Sequence, residues 1–480
     1  MSTHSMVRTR MAPSPTGEIH VGSMAMLLKN YAFAKKHGGK FILRIEDTDQ
    51  TREVPGAVER ILRVVKAYGL TWDEGPDIGG PYAPYTQSER LPLYKQRAEQ
   101  LVEQGQAYYC FCTRERLEKL REEQMANKQQ PKYDGRCRAL DPAEVTDRLA
   151  KNEPAVIRLK VPKNEQINFT DLIRGEISVS GKDIDDQVLL KTDGFPTYHL
   201  AVVVDDNAMQ ISHILRGEEW ISSTPKHVLL YKAFGWQPPI FAHVPIFLNP
   251  DGKGKMSKRK GEVSAQSFLD NGYLPEAMLN FFMLLGWGHP EQKEVFSLDE
   301  YCKYFDPADI SSKSVVFDLV KLQWLNGVYI RTLSESALFE KLKPFIPSDC
   351  SPELAKRIIP LIHERLAILS EFEILSSFFY RDITVDPAAL VKKATPELVH
   401  EQLAKTIAAL ENIPAWDEAS LETAIRELQE KNDWKRRQYF MLLRLAVSGE
   451  AATPPLFTMI ETLGKSVTLE RLSHALPLSF

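Results

Sequence analysis

Residues 7–12, Val7-Arg8-Thr9-Arg10-Met11-Ala12, form a strand-like run that Pro13-Ser14-Pro15-Thr16-Gly17 ends, and apolar residues from 23 to 36 then recur at helical spacing. Residues 40–45 predict a second strand and 54–68 a second amphipathic helix. This is the βαβ rhythm of a doubly wound parallel sheet, whose ligands sit at the carboxyl ends of the strands. Between about 94 and 193 the pattern changes, with helices expected around 91–126 and short strands at 155–161 and 175–180, as an insertion would read. The α/β pattern resumes at Gly194. Beyond about 333 strand signals fade, and helical periods at 352–380, 397–411, 421–431, 435–447 and 456–463 predict an all-helical final region.

The chain has 480 residues, room for about three domains at roughly 150 residues each. Its 43% hydrophobic and 26% charged residues are ordinary for a globular protein. No apolar run reaches the ~20 residues of a membrane-spanning helix, so no membrane partner is expected. Residues 1–9 hold neither an apolar signal core nor an Arg/Ser-rich amphipathic stretch, which points to the cytoplasm. Five cysteines suit a reducing compartment, where clustered thiols suggest metal or redox chemistry before disulfides. With 60 Lys+Arg against 64 Asp+Glu, the net charge of −4 excludes an indiscriminate polyanion binder, so nucleic-acid contacts have to use local basic patches.

Two segments are candidates for phosphate chemistry. His20-Val21-Gly22 stands where the first loop enters its helix, a place where backbone N–H groups and the helix dipole attract phosphate. There His20 offers a donor to a phosphate oxygen, and Gly22 lets a nucleotide approach the backbone. A helix-capping turn with a solvated His reads equally well from these residues alone. Downstream, Asp251-Gly252-Lys253-Gly254-Lys255-Met256-Ser257-Lys258-Arg259-Lys260-Gly261 concentrates glycines and cations, as a loop closing on a polyphosphate would, although a charge run is more often a solvated loop.

Taken together, the 13–23 segment PSPTGEIHVGS and Lys255-Met256-Ser257-Lys258-Arg259 resemble the paired HIGH and KMSKS signatures of class I aminoacyl-tRNA synthetases. Leu43-Arg44-Ile45-Glu46-Asp47-Thr48-Asp49 and Leu215-Arg216-Gly217-Glu218-Glu219-Trp220 extend the likeness to the bacterial glutamyl-tRNA synthetases, over essentially the whole chain. That resemblance implies an α/β class I, Rossmann-type nucleotide-binding catalytic domain with an α+β insertion, followed by an all-α C-terminal anticodon-binding region. The divisions it implies are 1–93 and 194–250 for the two halves of the catalytic domain, 94–193 for an inserted acceptor-stem domain, 251–332 for a connecting domain with the KMSKR loop, and 333–480 for the helical anticodon-binding region. It further implies a monomeric ligase in which glutamate attacks the α-phosphate of ATP, accompanied by magnesium, and the resulting glutamyl-adenylate then acylates the 3′ end of tRNA.

By the same resemblance His20 holds the phosphates as charge develops, Gly17 and Gly22 lie beside the nucleotide, and Lys255 and above all Lys258 reach the β/γ-phosphates and leaving pyrophosphate. The two carboxylates of L-glutamate need cations or donors, and its ammonium needs a carboxylate. Arg10, Ser14, Glu46, Tyr198 and Arg216 match those needs and fall on the family's amino-acid pocket, with Arg216 for the side-chain carboxylate and Glu46 for the amine. A structural salt bridge at Arg10 or Glu46 and a core position for Tyr198 are the plainer alternatives.

Cys110, Cys112 and Cys137 suit a tetrahedral zinc site with one more ligand, or equally three metal-free thiols. Zinc-bearing relatives resemble a Cys-x-Cys…Cys-x-His pattern; this chain lacks that His, and Tyr133 stands where related glutamyl-queuosine enzymes would allow a substitute. Trp434-Lys435-Arg436-Arg437 with Arg444 combines an aromatic with cations, as stacking and phosphate contact with an anticodon loop require, and equally as a charged helix surface would. Here Leu442-Leu443-Arg444 stands where the family usually has Pro-Leu-Arg. Glutamyl-queuosine synthetases lack a helical region like that after 333, glutaminyl-tRNA synthetases have a β-barrel there, and a non-catalytic paralogue would have lost the His, the lysines or the arginines found here.

Overall fold

The computed structural model describes residues 6–256 and 263–476. It divides into two compact units, 1–268 with 278–319, and 269–277 with 320–480. In the first, strand Arg8–Met11 pairs in parallel with Lys40–Leu43. Four more strands lie in the spatial order Gly175–Ser180, Gln166–Asp171, Ile240–Val244, His213–Gly217, the last two parallel. Ser212 stitches the two sheets together: its amide donates to the Arg8 carbonyl at 3.0 Å, and the Arg8 amide donates to Ser212 Oγ at 2.8 Å. The strands ending at Met11, Leu43, Gly217 and Val244 therefore deliver their carboxyl ends to one side of the unit.

Burial explains the composition of these strands. Phe41, Ile42 and Leu43 are fully buried, as central parallel strands covered by helices require. Arg8 and Arg10 are buried as well, and both are paired. Arg8 meets the Glu74 carboxylate at 2.7 and 2.9 Å and also donates to the Met209 carbonyl; Arg10 is held by Asp206.

Several elements differ from the periodicity. The first helix, Val21–Lys36, starts two residues earlier than expected because His20 caps it. The second, Ala57–Ala67, starts later, after Gly56 at φ +72°. The helices expected around 91–126 are two, with a strand between them: helix Leu91–Glu103 ends at Gly105 (φ +69°), strand Ala107–Cys110 follows, and Thr113 caps helix Arg114–Ala126. That strand joins Val156–Leu159 and Val188–Leu190 in a separate antiparallel sheet. Strand Gln166–Asp171, by contrast, reaches from the 94–193 segment into the main sheet, Asp171 lying opposite Phe241.

The second unit is helical. Pro352–Ile362, Pro396–Glu411, Glu418–Lys431, Arg436–Ser448, Leu456–Leu463 and Lys465–Ala475 surround one core that contains Ile358, Leu403, Leu421, Leu443 and Ile460. The 352–380 period is not one helix. Pro360 weakens its end, the helix stops at Ile362, and Glu371 then accepts the Ala367 and Ile368 amides at 2.8 and 3.1 Å to start a fresh set of short turns. Trp434 departs from its expected role: it is only 6% exposed and packs on Tyr439 with ring centroids 4.8 Å apart, so it is a core residue rather than a stacking platform. Arg444 is likewise spent inside the unit, on the Thr453 and Pro454 carbonyls. Lys435, Arg436 and Arg437 are exposed. Among the described residues no helix is long and apolar enough to cross a membrane.

Candidate active site and thiol cluster

A cavity of about 840 Å³ opens at the carboxyl ends of the parallel strands, and Arg10, Ser14, His20, Gly22, Glu46, Tyr198, Arg216 and Lys255 all line it. Gly17 does not line it; its φ of +129° is a backbone reason for glycine. Lys258 lies outside the described residues. Lys255 Nζ rests on Glu219 at 2.9 Å, another residue of the cavity wall.

His20 enters the cavity from the start of helix Val21–Lys36, where its Nδ1 accepts the Gly22 amide at 2.9 Å. A neutral imidazole that accepts at Nδ1 carries its proton on Nε2, so the ring offers an N–H donor on its other side. A Cβ at residue 22 would stand 3.1 Å from that Nδ1. Glycine therefore lets the imidazole cap its own helix.

Beneath the cavity lies a charge network. Arg10 reaches Asp206 at 3.1 and 3.2 Å, Arg44 reaches Asp206 at 2.8 Å and Glu46 at 3.0 Å, and Arg90 reaches Asp205 at 2.7 Å. Arg10, Arg44 and Arg90 thus face Asp205, Asp206 and Glu46, three cations against three anions. Against the upward push of burial, Arg10 and Arg44 hold Asp206 below the usual carboxylate range. Burial wins at Glu46, whose carboxyl is raised although Arg44 and Arg10 oppose it.

Arg216 stands apart from that balance. It is 5% exposed. Its Nε donates to His243 Nε2 at 3.0 Å, Nη1 to the Tyr198 hydroxyl at 3.2 Å, and Nη2 to Thr224 Oγ1 at 2.8 Å, while His227 Nδ1 lies 3.3 Å from Nη1. All four partners are neutral. Burial pushes His227 and His243 below the ordinary histidine range, and it also pulls the Arg216 guanidinium down. Among the described residues no carboxylate forms an ion pair with Arg216. A buried cation without an anion is costly, and an arriving carboxylate relieves that cost.

Trp220 completes the wall, its ring 4.3 Å from that of Tyr198. The sequence pattern did not single out Trp220, Thr224, His227, His243, Arg44 or Asp206 for this site. One signal was available: Asp205 and Asp206 follow the apolar run Val202-Val203-Val204 within a buried helix, where carboxylates need partners.

The imidazoles around Arg216 make stability depend on pH. His199 is pushed down to about 3, by burial first and then by Lys226 and Arg216, and it meets His227 at 3.1 Å. A histidine whose folded value is depressed contributes fully above about pH 6.5, its unfolded value, and progressively less as pH falls toward the folded value. His227, held well below the ordinary histidine range, and His199 should each cost up to about 1.4 kcal/mol per pH unit below that point, and His243 adds in the same direction. Chemical denaturation of the full chain between about pH 7 and 5 should therefore show falling stability; a flat profile over that window would contradict neutral imidazoles at these positions.

The thiols form a second cluster, and none of them lines the cavity. Cys110 ends strand Ala107–Cys110, and the Sγ atoms of Cys110, Cys112 and Cys137 lie within 4.8 Å of one another. Tyr133 Oη is 3.4 Å from Cys110 Sγ and 3.5 Å from Cys112 Sγ, and Cys112 and Cys137 are 3.5 Å apart. Tetrahedral Zn–S bonds of about 2.3 Å place sulfurs roughly 3.8 Å apart, so the donor set fits the ion. Burial, with Cys137 and Cys110, pushes the Cys112 thiol up to about 11. Burial and the three thiols also raise the Tyr133 phenol.

Residues 6–324 match the family model described as tRNA synthetases class I (E and Q), catalytic domain, and residues 337–476 match the anticodon binding domain. A glutamate–tRNA ligase of Dehalococcoides mccartyi is 48% identical over 481 residues, covering 98% of this chain and 97% of the relative. One from Acinetobacter baylyi is 45% identical over 472 residues, covering 98% and 93%. The crystal structure of a glutamate tRNA ligase from Elizabethkingia meningosepticum in complex with its amino acid superposes with a TM-score of 0.90 at 37% identity, over 98% of this chain and 99% of that one. A chain that matches these relatives along nearly its whole length, with the catalytic and anticodon-binding models in the same order, belongs to the glutamate–tRNA ligase family of class I tRNA synthetases.

Proposed function

We propose that the protein activates L-glutamate with ATP to glutamyl-adenylate, releasing pyrophosphate, and transfers the glutamyl group to the 3′ end of its tRNA, releasing AMP. The observation that carries this reading is Arg216, a buried guanidinium with neutral partners only, in a cavity that also holds the helix start at His20. At about 840 Å³ the cavity is large enough for a nucleotide and an amino acid together.

In this reading Arg216 and Tyr198 take the side-chain carboxylate, Glu46 takes the ammonium, and Arg10 and Ser14 complete the amino-acid pocket. The Nε2–H of His20 donates to the α-phosphate as charge develops there, and the Val21 end of the helix adds its dipole. Lys255, on exchanging Glu219 for phosphate, neutralises the leaving pyrophosphate, a role the KMSKR motif also gives to Lys258; magnesium enters with ATP as part of the substrate. The five cysteines, none of them in a disulfide, favour the reducing cytoplasm. Residues 94–193 are assigned to the acceptor stem and 333–480 to the anticodon, where the exposed Lys435, Arg436 and Arg437 supply cations.

The test is direct: with ATP, labelled glutamate and total tRNA, label should appear on tRNA in an alkali-labile ester with AMP and pyrophosphate formed in step. ATP breakdown without label on tRNA would overturn the reading.

We assign the thiol cluster to one zinc ion held by Cys110, Cys112, Cys137 and Tyr133, a closed structural site whose ion would tie strand Ala107–Cys110 to the 133–137 segment. Elemental analysis of protein purified without chelator should find about one zinc per chain, and Cys112→Ser should abolish it. Metal-free protein would leave the cluster as three thiols.

A further inference from the structure

We propose that His243, held by Asp171, is a positioning residue that fixes Arg216 for the side-chain carboxylate of the amino acid. The inference rests on the reading of Arg216 given above and extends it to two residues behind the cavity wall.

Asp171 ends strand Gln166–Asp171, at the point where that strand meets Ile240–Val244. One carboxylate oxygen accepts the Ile173 and Arg174 amides, both at 3.0 Å. The other accepts the His243 amide at 3.0 Å and lies 2.6 Å from His243 Nδ1. Neither side chain has any exposed surface. The carboxylate is thus immobilised by three backbone donors and accepts a hydrogen bond from His243 Nδ1–H, which keeps the imidazole proton on Nδ1. Nε2 is then a lone-pair acceptor, and Arg216 Nε donates into it at 3.0 Å. The other neutral tautomer, or an imidazolium, would set an N–H against an N–H at this contact.

The consequence for Arg216 is geometric. Its inner edge is committed to His243 through Nε and to Thr224 through Nη2, and Thr224 Oγ1 in turn lies 3.0 Å from His243 Nε2. Two anchors on one planar group fix its plane, and Nη2 keeps a second N–H for a ligand. Asp171 also supplies a negative charge one imidazole away, which favours the charged guanidinium without an ion pair that would compete with the substrate. A carboxylate–imidazole pair that orients a third group in this way acts on the affinity for what that group binds.

The experiment compares wild type, His243→Leu and His243→Gln in the full chain, by aminoacylation of purified tRNA with KM measured separately for glutamate and ATP. Leu, which keeps volume but offers no acceptor, should raise KM for glutamate by roughly 10- to 100-fold, the effect of losing a hydrogen bond to a charged group, with KM for ATP unchanged. Gln, whose amide oxygen reaches about where Nε2 lies, should recover most of that loss. Wild-type KM for glutamate in the Leu variant, an equal rise for both substrates, or a Gln variant no better than Leu would each overturn the relay. If wild type itself charged no glutamate, the functional reading would fall and the relay with it; a charging wild type beside an indifferent His243→Leu would remove the relay alone.

Discussion

Replacing Arg216 by Ala is expected to lower kcat/KM for glutamate by roughly 10²- to 10⁴-fold, the 3–5 kcal/mol typical of truncating one side of a buried charge pair. The guanidinium is a buried cation of the cavity wall whose partners among the described residues are all neutral, so in its absence a bound side-chain carboxylate would be desolvated against Tyr198, His227 and Thr224 without its closest positive charge. Folding should not suffer in proportion. Arg216 forms no ion pair within the described residues, and removing a buried charge that lacks an anion relieves a desolvation cost. Steady-state aminoacylation together with a thermal melt separates the two effects, and a variant that kept near-wild-type kcat/KM would show that another group reads the carboxylate.

His20→Asn should slow adenylate formation by about 10²- to 10³-fold, the usual effect of deleting one preorganised donor to a developing oxyanion. Asparagine is the informative substitution because it is among the best helix N-caps. It can replace the Nδ1 contact to the Gly22 amide, now 2.9 Å, while removing the Nε2 donor. The start of helix Val21–Lys36 is thereby preserved and the loss falls on chemistry. Pyrophosphate exchange, run with tRNA present, measures the activation step by itself. Exchange at the wild-type rate would remove His20 from the phosphate site and leave it a helix cap.

The parts of this molecule legible in its sequence are those set by neighbours along the chain. A strand, a Pro/Gly loop and a helix beginning at His20-Val21-Gly22 are a local pattern, and the fold keeps it with a shift of two residues. The environment of Arg216 is not local: Tyr198 comes from a helix start, Thr224 and His227 from another helix, and His243 from a strand. No spacing rule announces that such residues converge, still less that all of them are neutral. Trp434 shows the opposite error. An aromatic beside Lys435, Arg436 and Arg437 has the composition of a stacking surface, yet its ring lies in the helical core against Tyr439, and only the burial of each side chain separates the two readings. Between the helices expected around 91–126 lies a strand that was signalled by Gly105 and the Tyr108-Tyr109 pair, but helical periodicity on both sides masked it.

Charge rather than size is the basis on which this site should choose its amino acid, since glutamine matches glutamate in shape and differs in the group facing Arg216. The measurement that bears on this most directly is kcat/KM for glutamate and for glutamine, on the same purified tRNA, in wild type and in Arg216→Ala. Wild type is expected to prefer glutamate by roughly 10³-fold or more, because an amide leaves the buried guanidinium uncompensated, and the variant is expected to lose most of that preference. A wild type that charged both amino acids comparably, or an Arg216→Ala enzyme that kept the wild-type ratio, would contradict the account.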